Sequence, residues 1–151
     1  MYVIECDRVK EVAPMVALKQ IPHSPDCVAG LFNYRGTIVP VIDLRQYIHN
    51  SPCQLRLSTR IILVEYLKPD KSQGMFAIMA ERITEAIDRP KSAFIPPGIT
   101  MQEAPYLSGI LMENDDMIQL IDLNRLAKSL NLLSMFEELE DEFETFATEK
   151  H

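Results

Sequence analysis

The chain has 151 residues, of which 47% are hydrophobic and 25% are charged, as in an average globular protein. This length suits one ordinary domain, or two very small ones that share a core. The net charge of −7 repels phosphate backbones and anionic lipid, which argues against a nucleic-acid partner and against binding to a membrane surface.

The cysteines and the apolar runs indicate a cytoplasmic protein. Cys6, Cys27 and Cys53 are odd in number and form no CxxC pair, which is typical of buried thiols in a reducing compartment. No apolar run approaches the roughly 18 residues of a membrane helix, so we expect no direct membrane insertion. The N-terminus does not resemble a signal peptide.

Short β-rich runs dominate the body of the chain, and ten prolines favour strands and loops over long helices. In chain order, strands are predicted at 37–42, 60–66, 75–79 and 117–121. The polar segment 69–74 predicts a hairpin-like loop between the second and third of these strands. The body is therefore expected to be mostly β.

An internal repeat relates the two halves of this body. Gly30 aligns with Gly109 and Asp43 aligns with Asp122 at one common offset, and the apolar pattern matches around each pair. An upstream block that begins at Ile4 repeats from Ile78, at a slightly shorter offset. The halves are therefore interpreted as related copies, with a longer connecting loop in the second.

The repeat also predicts that the first half lacks one strand. The second half opens with the strand at 60–66, and the first half has no counterpart to it. An unpaired edge must be covered or paired. Three explanations stay open: the true start lies upstream of Met1, a neighbouring copy lends a strand in a swapped homodimer, or the C-terminal helix covers the edge.

Segment 131–151 predicts an acidic amphipathic helix. Ser134 and Glu137 have the spacing of a capping box. Apolar residues then recur at helical spacing, namely Phe136, Leu139, Phe143 and Phe146. Residues 128–151 carry seven acids and two bases, so most of the net charge lies there. The apolar stripe either packs on the same chain or docks on another one.

Asp43 and Asp122 invite comparison with the acid dyad of an aspartic protease. Their contexts contain no small residue or glycine, whereas each aspartate follows an apolar strand and precedes a helix start, as an N-cap does. Gln46 completes a capping-box spacing with Asp43. The N-cap interpretation is therefore preferred, and an acid-dyad hydrolase is kept only as a remote alternative.

Other catalytic signatures are absent from the sequence. The histidines, His23, His49 and His151, are scattered without metal-ligand spacing. The chain has only five glycines and no glycine-rich phosphate loop, and no serine lies in a G-x-S-x-G elbow. Cys27 is expected to be buried rather than nucleophilic. We therefore expect a binding module without catalytic residues, metal or cofactor.

Residues 24–48 closely resemble the signature of the CheW-like family, roughly x-x-G-x-x-N-L-R-G-x-x-x-P-V-x-D-L-R. The matching residues are Asn33, Arg35, Gly36, Pro40, Val41, Asp43, Leu44 and Arg45. Tyr34 replaces the usual leucine of the pattern, a small departure. Segment 9–12 resembles the family's V-x-E-V motif and segment 105–109 resembles its Y-L-x-G motif, so the resemblance covers about residues 2–127.

This resemblance implies a fold of two pseudo-symmetric, five-stranded SH3-like β-barrels sharing a core, the first barrel lacking its N-terminal strand, plus the C-terminal amphipathic helix. It divides the chain into a CheW-like domain at 1–130, made of two related half-domains, and an acidic helical extension at 131–151. The family normally has a strand before this start, which agrees with the gap that the repeat predicts.

The resemblance further implies a non-enzymatic adaptor of a two-component system. Such proteins couple the cytoplasmic tips of chemoreceptors (methyl-accepting proteins) to the regulatory domain of a CheA-type histidine kinase in chemotaxis. A divergent adaptor of a type IV pilus pathway or another non-flagellar pathway is an alternative. A homodimer through the unpaired N-terminal edge or the C-terminal helix is a further expectation.

By the same resemblance, partner contacts are expected at Val9, Glu11, Val12 and Arg35, in a groove between the barrels. Val9 and Val12 could instead belong to the core, and Arg35 could merely brace its turn. Structural roles in turns or caps are expected for a second set, namely Gly30, Gly36, Asp43, Gly109 and Asp122.

Overall fold

The computed structural model describes residues 1–81, 86–97 and 104–132. The strands are β1 (Tyr2–Val3), β2 (Val9–Pro14), β3 (Val28–Tyr34), β4 (Thr37–Asp43), β5 (Arg60–Leu67), β6 (Gln73–Ala80), β7 (Leu107–Glu113) and β8 (Asp116–Ile121). The helices are α1 (Leu44–His49) and α2 (Leu123–Ser129), with short 3₁₀ turns at Cys6–Arg8 and Lys91–Ala93. All four strands predicted from the sequence are confirmed, with slightly extended ends.

The chain forms two compact units. The first-half unit spans Cys6–Ala86, and the second-half unit combines Met1–Glu5 with the described residues from Ile87 onward. The first-half unit holds a five-stranded sheet in the order β2-β5-β6-β4-β3, and the second-half unit holds a three-stranded sheet in the order β1-β8-β7. The described part of the chain is therefore mostly β and forms two sheets.

One buried cluster of the first-half unit lies on one face of its sheet. Its buried residues come from β4, β5 and β6 and from the loop after α1, namely Val39, Val41, Cys53, Ile61, Leu63, Ala77 and Met79. Alternation along β5, with Ile61 and Leu63 on this face, follows from the two-residue period of a strand. Tyr34 and Phe32 of β3 pack against this core at its margin.

The hairpins repeat between the units at the predicted offset. The β3–β4 hairpin has a register shift between Val28 and Gly30, and the β7–β8 hairpin has one between Leu107 and Gly109. Each hairpin ends on an aspartate that begins a short helix, α1 or α2. The internal repeat is therefore confirmed for the hairpin and the helix that follows it.

The expectation that the first barrel lacks a strand is wrong for the first-half unit. Strand β5, which we assigned to the second half, pairs with β2 and β6 in the five-stranded sheet. The reason is that β1 and β6, which occupy equivalent positions in the two copies of the repeat, each pair with a strand of the other copy. Strand β6 pairs in parallel with β4, and β1 pairs in parallel with β8. The pairs Val41↔Ala77 and Val3↔Leu120 are related by the two offsets of the repeat.

The closed SH3-like barrels are not found among the described residues, where the sheets are open ladders. The expected C-terminal helix, with its capping box at Ser134, lies outside the described residues. The same is true of residues 82–85, which belong to the upstream repeated block that begins at Ile78.

Candidate partner-binding surface

A two-residue turn at the tip of the β3–β4 hairpin presents Arg35 to solvent. Tyr34 pairs with Thr37 at the end of the ladder, and the two residues between them have positive φ, 50° at Arg35 and 90° at Gly36. This is the type I′ geometry that matches the twist of the flanking strands. Glycine and asparagine adopt positive φ readily at these two turn positions, whereas arginine is disfavoured at them.

Asn33, rather than Arg35, braces this turn. The Asn33 Oδ1 accepts a hydrogen bond from the Gly36 N–H at 2.7 Å. The equivalent turn of the β7–β8 hairpin has Asn114 and Asp115, also with positive φ, 50° and 66°. The second-half unit therefore uses residues that suit this backbone, while the first-half unit has an arginine whose side chain the turn does not use.

Tyr34 links two of the four expected contact residues. Its hydroxyl donates a hydrogen bond to the Glu11 Oε2 at 2.7 Å. The Arg35 guanidinium carbon lies 5.2 Å from the centre of the Tyr34 ring, in cation–π contact. We call these three residues the Glu11–Tyr34–Arg35 cluster. From the sequence alone, Tyr34 was only a departure from the family pattern, because its contact with Glu11 joins two strands that are distant in the chain.

The cluster joins the two edge strands of the five-stranded sheet. Glu11 lies on β2 and Tyr34 lies on β3, at opposite ends of the strand order. The sheet must curl for these side chains to meet, as the right-handed twist of sheets allows. The hydrogen bond from Tyr34 to the Glu11 carboxylate raises the pKa of the Tyr34 phenol, because the carboxylate stabilises the protonated hydroxyl.

The two valines of the expected contact set lie on the same edge strand as Glu11. Val9 is half-buried opposite Val64 of β5, and Val12 is 48% exposed opposite Ile62. Exposure of this size excludes Val12 from the core. Tyr34 thus contacts both Glu11 and Arg35, and Val9 and Val12 lie on the same strand as Glu11.

Gly30 and Gly109 make room for a neighbouring segment at the two bulges. A Cβ on Gly30 would lie 2.8 Å from the Leu18 Cβ, and one on Gly109 would lie 2.8 Å from the Phe94 Cβ. Gly36 differs, because a Cβ there would meet nothing within 4 Å. Its requirement for glycine comes from its φ of 90°.

Asp43 and Asp122 are N-caps, as predicted. The Asp43 Oδ1 accepts from the Gln46 N–H at 3.1 Å, and the Asp122 Oδ1 accepts from the Arg125 N–H at 3.0 Å. Asp43 has a second role, because its Oδ2 accepts from the buried Cys53 N–H at 2.8 Å. Both carboxylates are committed to backbone N–H groups, which is the structural role expected of a cap.

A further network, which no sequence motif predicted, holds the segment after α1 in place. The Glu81 Oε1 accepts from the Arg45 Nη1 at 2.6 Å and from the Gln54 N–H at 2.9 Å. These bonds lower the pKa of the Glu81 carboxyl, the Gln54 N–H first and the Arg45 side chain second. Arg45, one of the residues that match the family pattern, thus has a structural partner.

The cysteines and the possible metal ligands can be assessed within the described part of the chain. All three cysteines lie in the described part of the chain and are free thiols. Burial raises the pKa of the Cys27 thiol and, together with Asp43, raises that of Cys53 to about 11, so both resist forming the nucleophilic thiolate. Within residues 1–81, 86–97 and 104–132, no group of acidic, histidine and cysteine side chains could hold a metal ion. No helix in these ranges is long and apolar enough to cross a membrane.

The described residues thus form two sheets that contain a repeated hairpin, and the first of these hairpins ends in an exposed, charged turn. The model of the CheW-like domain family matches residues 1–131, and the chain belongs to this family.

Relatives and a solved structure agree with this assignment. The chain is 28% identical over 138 residues to the chemotaxis protein CheW of Treponema pallidum, covering 87% of this chain and 78% of that protein. It is 27% identical over 128 residues to the chemotaxis protein CheW of Helicobacter pylori, covering 84% and 74%. The crystal structure of the scaffolding protein TtCheW from Thermoanaerobacter tengcongensis matches with a TM-score of 0.69 at 30% identity, covering 82% of this chain and 77% of that one.

Proposed function

We propose that the protein is a non-enzymatic, cytoplasmic scaffold that couples the cytoplasmic tips of chemoreceptors to the regulatory domain of a CheA-type histidine kinase. Membership of the CheW-like family supports the general role in chemotaxis. The three free thiols support a reducing compartment. The end of the family match at residue 131 supports a module at 1–130 followed by a separate extension at 131–151.

The observation that carries this proposal is the state of Arg35. It occupies a positive-φ turn position that costs an arginine about 1 kcal/mol relative to the residues the turn prefers. Among the described residues, its guanidinium makes no hydrogen bond or ion pair, only the contact with the Tyr34 ring. A disfavoured backbone position with unused donors indicates selection for an external contact.

The neighbouring residues give the surface its chemistry. Arg35 offers a planar fork of N–H donors that suits a carboxylate, and Glu11 offers a carboxylate oxygen that Tyr34 does not use. Val12, the next residue of this edge strand, projects to the opposite face from Glu11 and adds exposed apolar area along the same edge. A helix with an acidic residue and an apolar stripe complements such a surface, so we assign the receptor tip to Glu11, Val12 and Arg35, with Val9 supporting them from β2.

Replacement of Arg35 by asparagine tests this assignment. R35N removes the charge and introduces a residue that the turn prefers, and the equivalent turn already has Asn114. We expect R35N to fold at least as stably as the wild type and to bind a helical-hairpin fragment of the chemoreceptor tip about tenfold or more weakly, since a hydrogen-bonded charge contributes about 1.5–3 kcal/mol. Titration calorimetry of the full chain with this fragment measures the change.

K71N is the matched control, because Lys71 is also a basic residue at positive φ, 68°, in a turn of the same unit. It should bind the fragment as the wild type does. The assignment of Arg35 is wrong if R35N and K71N bind equally well. Failure of the wild-type chain to bind both the receptor fragment and the kinase regulatory domain would refute the proposed scaffold itself.

A further inference from the structure

Tyr34 lies between the two charged groups of the proposed partner surface and contacts both. Its hydroxyl is bonded to one oxygen of Glu11, and its ring face lies against the guanidinium of Arg35. A leucine, the residue usual in the family pattern, could make neither contact. The residue that departs from the pattern is thus the one that organises the surface in this chain.

The Tyr34 ring is itself held in place. It packs against the buried core of the first-half unit, and the Phe32 ring meets it edge-on at a centroid distance of 6.4 Å. The hairpin fixes its backbone opposite Thr37. A side chain supported by packing and by an aromatic neighbour loses little further entropy when it orders a contact, which is what a positioning group requires.

The geometry keeps the opposite charges of Glu11 and Arg35 apart. No ion pair joins them among the described contacts, although both touch the same phenol. A carboxylate and a guanidinium that are free to meet would pair, and each would then have to give up that pairing in order to bind a partner. With Tyr34 between them, Glu11 keeps its Oε1 and Arg35 keeps its N–H donors for external groups.

We propose that Tyr34 is a positioning residue that holds Glu11 and Arg35 as two separate, preorganised contacts for a helix that presents a carboxylate to Arg35. This inference rests on the proposed scaffold function and adds a specificity determinant to it. Preorganisation raises affinity by removing ordering costs rather than by adding contacts. Tyr34 itself is not required to touch the partner.

Binding of the chemoreceptor-tip fragment to Y34F and Y34L tests the proposal. Y34F keeps the packing and the ring under Arg35 but loses the bond to Glu11, whereas Y34L loses both contacts. We expect about threefold weaker binding for Y34F and more than tenfold weaker binding for Y34L. In a double-mutant cycle, R35N should weaken binding much less in the Y34L background than in the wild type.

A pH titration separates positioning from mere packing. The near-ultraviolet absorbance of the Tyr34 phenolate, isolated as the difference between wild type and Y34F, should report a pKa above that of free tyrosine, because Glu11 stabilises the protonated phenol. E11Q removes the charge and should lower this pKa toward the ordinary value. A purely structural tyrosine would show no such response to E11Q.

The outcomes distinguish the two proposals. If R35N weakens binding but Y34F and Y34L bind as the wild type does, the scaffold assignment stands and the role of Tyr34 is wrong. If the effects of R35N and Y34L on binding are additive, and if E11Q leaves the pKa of the Tyr34 phenol unchanged, the positioning role of Tyr34 is also refuted. If Y34L is too unstable for binding studies, the same decision follows from Y34F alone, because its packing is conserved. If R35N itself has no effect, the failure belongs to the Arg35 assignment.

Discussion

Gly30 and Gly36 lie on the same hairpin but meet very different surroundings. A Cβ on Gly30 would approach the Leu18 Cβ and, at 2.9 Å, the Lys19 carbonyl oxygen, neither of which can swing away. A Cβ on Gly36 would enter open space. Close packing therefore requires a glycine at position 30, whereas the backbone conformation alone requires one at position 36.

We expect G30A to lower the free energy of unfolding by at least about 2 kcal/mol, since overpacking costs roughly 1–3 kcal/mol and the positive φ adds to it. G36A should lower it by about 1 kcal/mol, because only the left-handed backbone opposes a side chain there. Urea denaturation of both variants measures the difference. Equal losses would show that the close approach at Gly30 is not tight in solution.

At the same scale, sequence alone predicted some site residues and missed another. Glu11 and Arg35 were proposed as partner contacts because they belong to short motifs of the family pattern, and the glycines and capping aspartates were assigned because their roles depend on neighbours in the chain. Tyr34 was passed over, because its role requires β2 and β3 to approach each other in space. No local pattern encodes the approach of two edge strands.

Among the elements, α1 and α2 begin in the same way but depend on their caps to different degrees. Asp122 accepts from the Arg125 N–H and forms an exposed ion pair of 4.0 Å with the Arg125 side chain, whereas Asp43, which is 5% exposed, also satisfies the Cys53 N–H. The Asp43 carboxylate thereby ties the start of α1 to the segment that follows this helix. Both copies of the repeat therefore have the aspartate N-cap, and in the first-half unit this aspartate also binds the Cys53 N–H.

We therefore expect D122A to lower the free energy of unfolding by about 1 kcal/mol, the usual cost of a lost N-cap. D43A should cost roughly 2–4 kcal/mol, because the buried N–H of Cys53 also loses its acceptor. Urea denaturation compares the two losses. D43N, which keeps one carbonyl acceptor, should fall between the wild type and D43A. A loss no larger for D43A than for D122A would contradict the second role of Asp43.

Four of the strands were predictable from the sequence, but the strands with which they pair were not. The strands at 60–66 and 75–79 were located from apolar patterning alone, and their hairpin followed from the polar loop between them. Their membership of the first-half unit depends on the parallel pairing of β6 with β4, across residues far apart in the chain. Chain order therefore led to the wrong unit for β5.

At the scale of the whole molecule, the chain is interleaved. The first residues belong to the unit formed by the last described ones, and the segment between them builds the other unit. Parallel pairing needs a long connection, and here the chain runs from β1 through the first-half unit and then through β7 before it reaches β8. Folding of the second-half unit thus joins strands from opposite ends of the repeated body.

Removal of Met1–Glu5 should therefore weaken the second-half unit selectively. Strand β1 supplies the Tyr2–Val3 ladder to β8, and the Met1 carbonyl accepts from the Gln119 N–H at 2.8 Å. In a chain that starts at Cys6 behind a new methionine, we expect amide-exchange protection to fall at least tenfold in β7 and β8 and to stay within about twofold in β5 and β6.

E5Q is the control for this truncation, since it breaks only the exposed Glu5–Lys91 ion pair, 2.8 Å long, and leaves the strand in place. Such a pair contributes about 0–1 kcal/mol, so E5Q should leave the protection of β7 and β8 almost unchanged. Selective loss in the truncated chain alone would then assign the effect to the β1 ladder. Equal loss of protection in both units would instead mean that they unfold as one cooperative body, in which β1 has no local role.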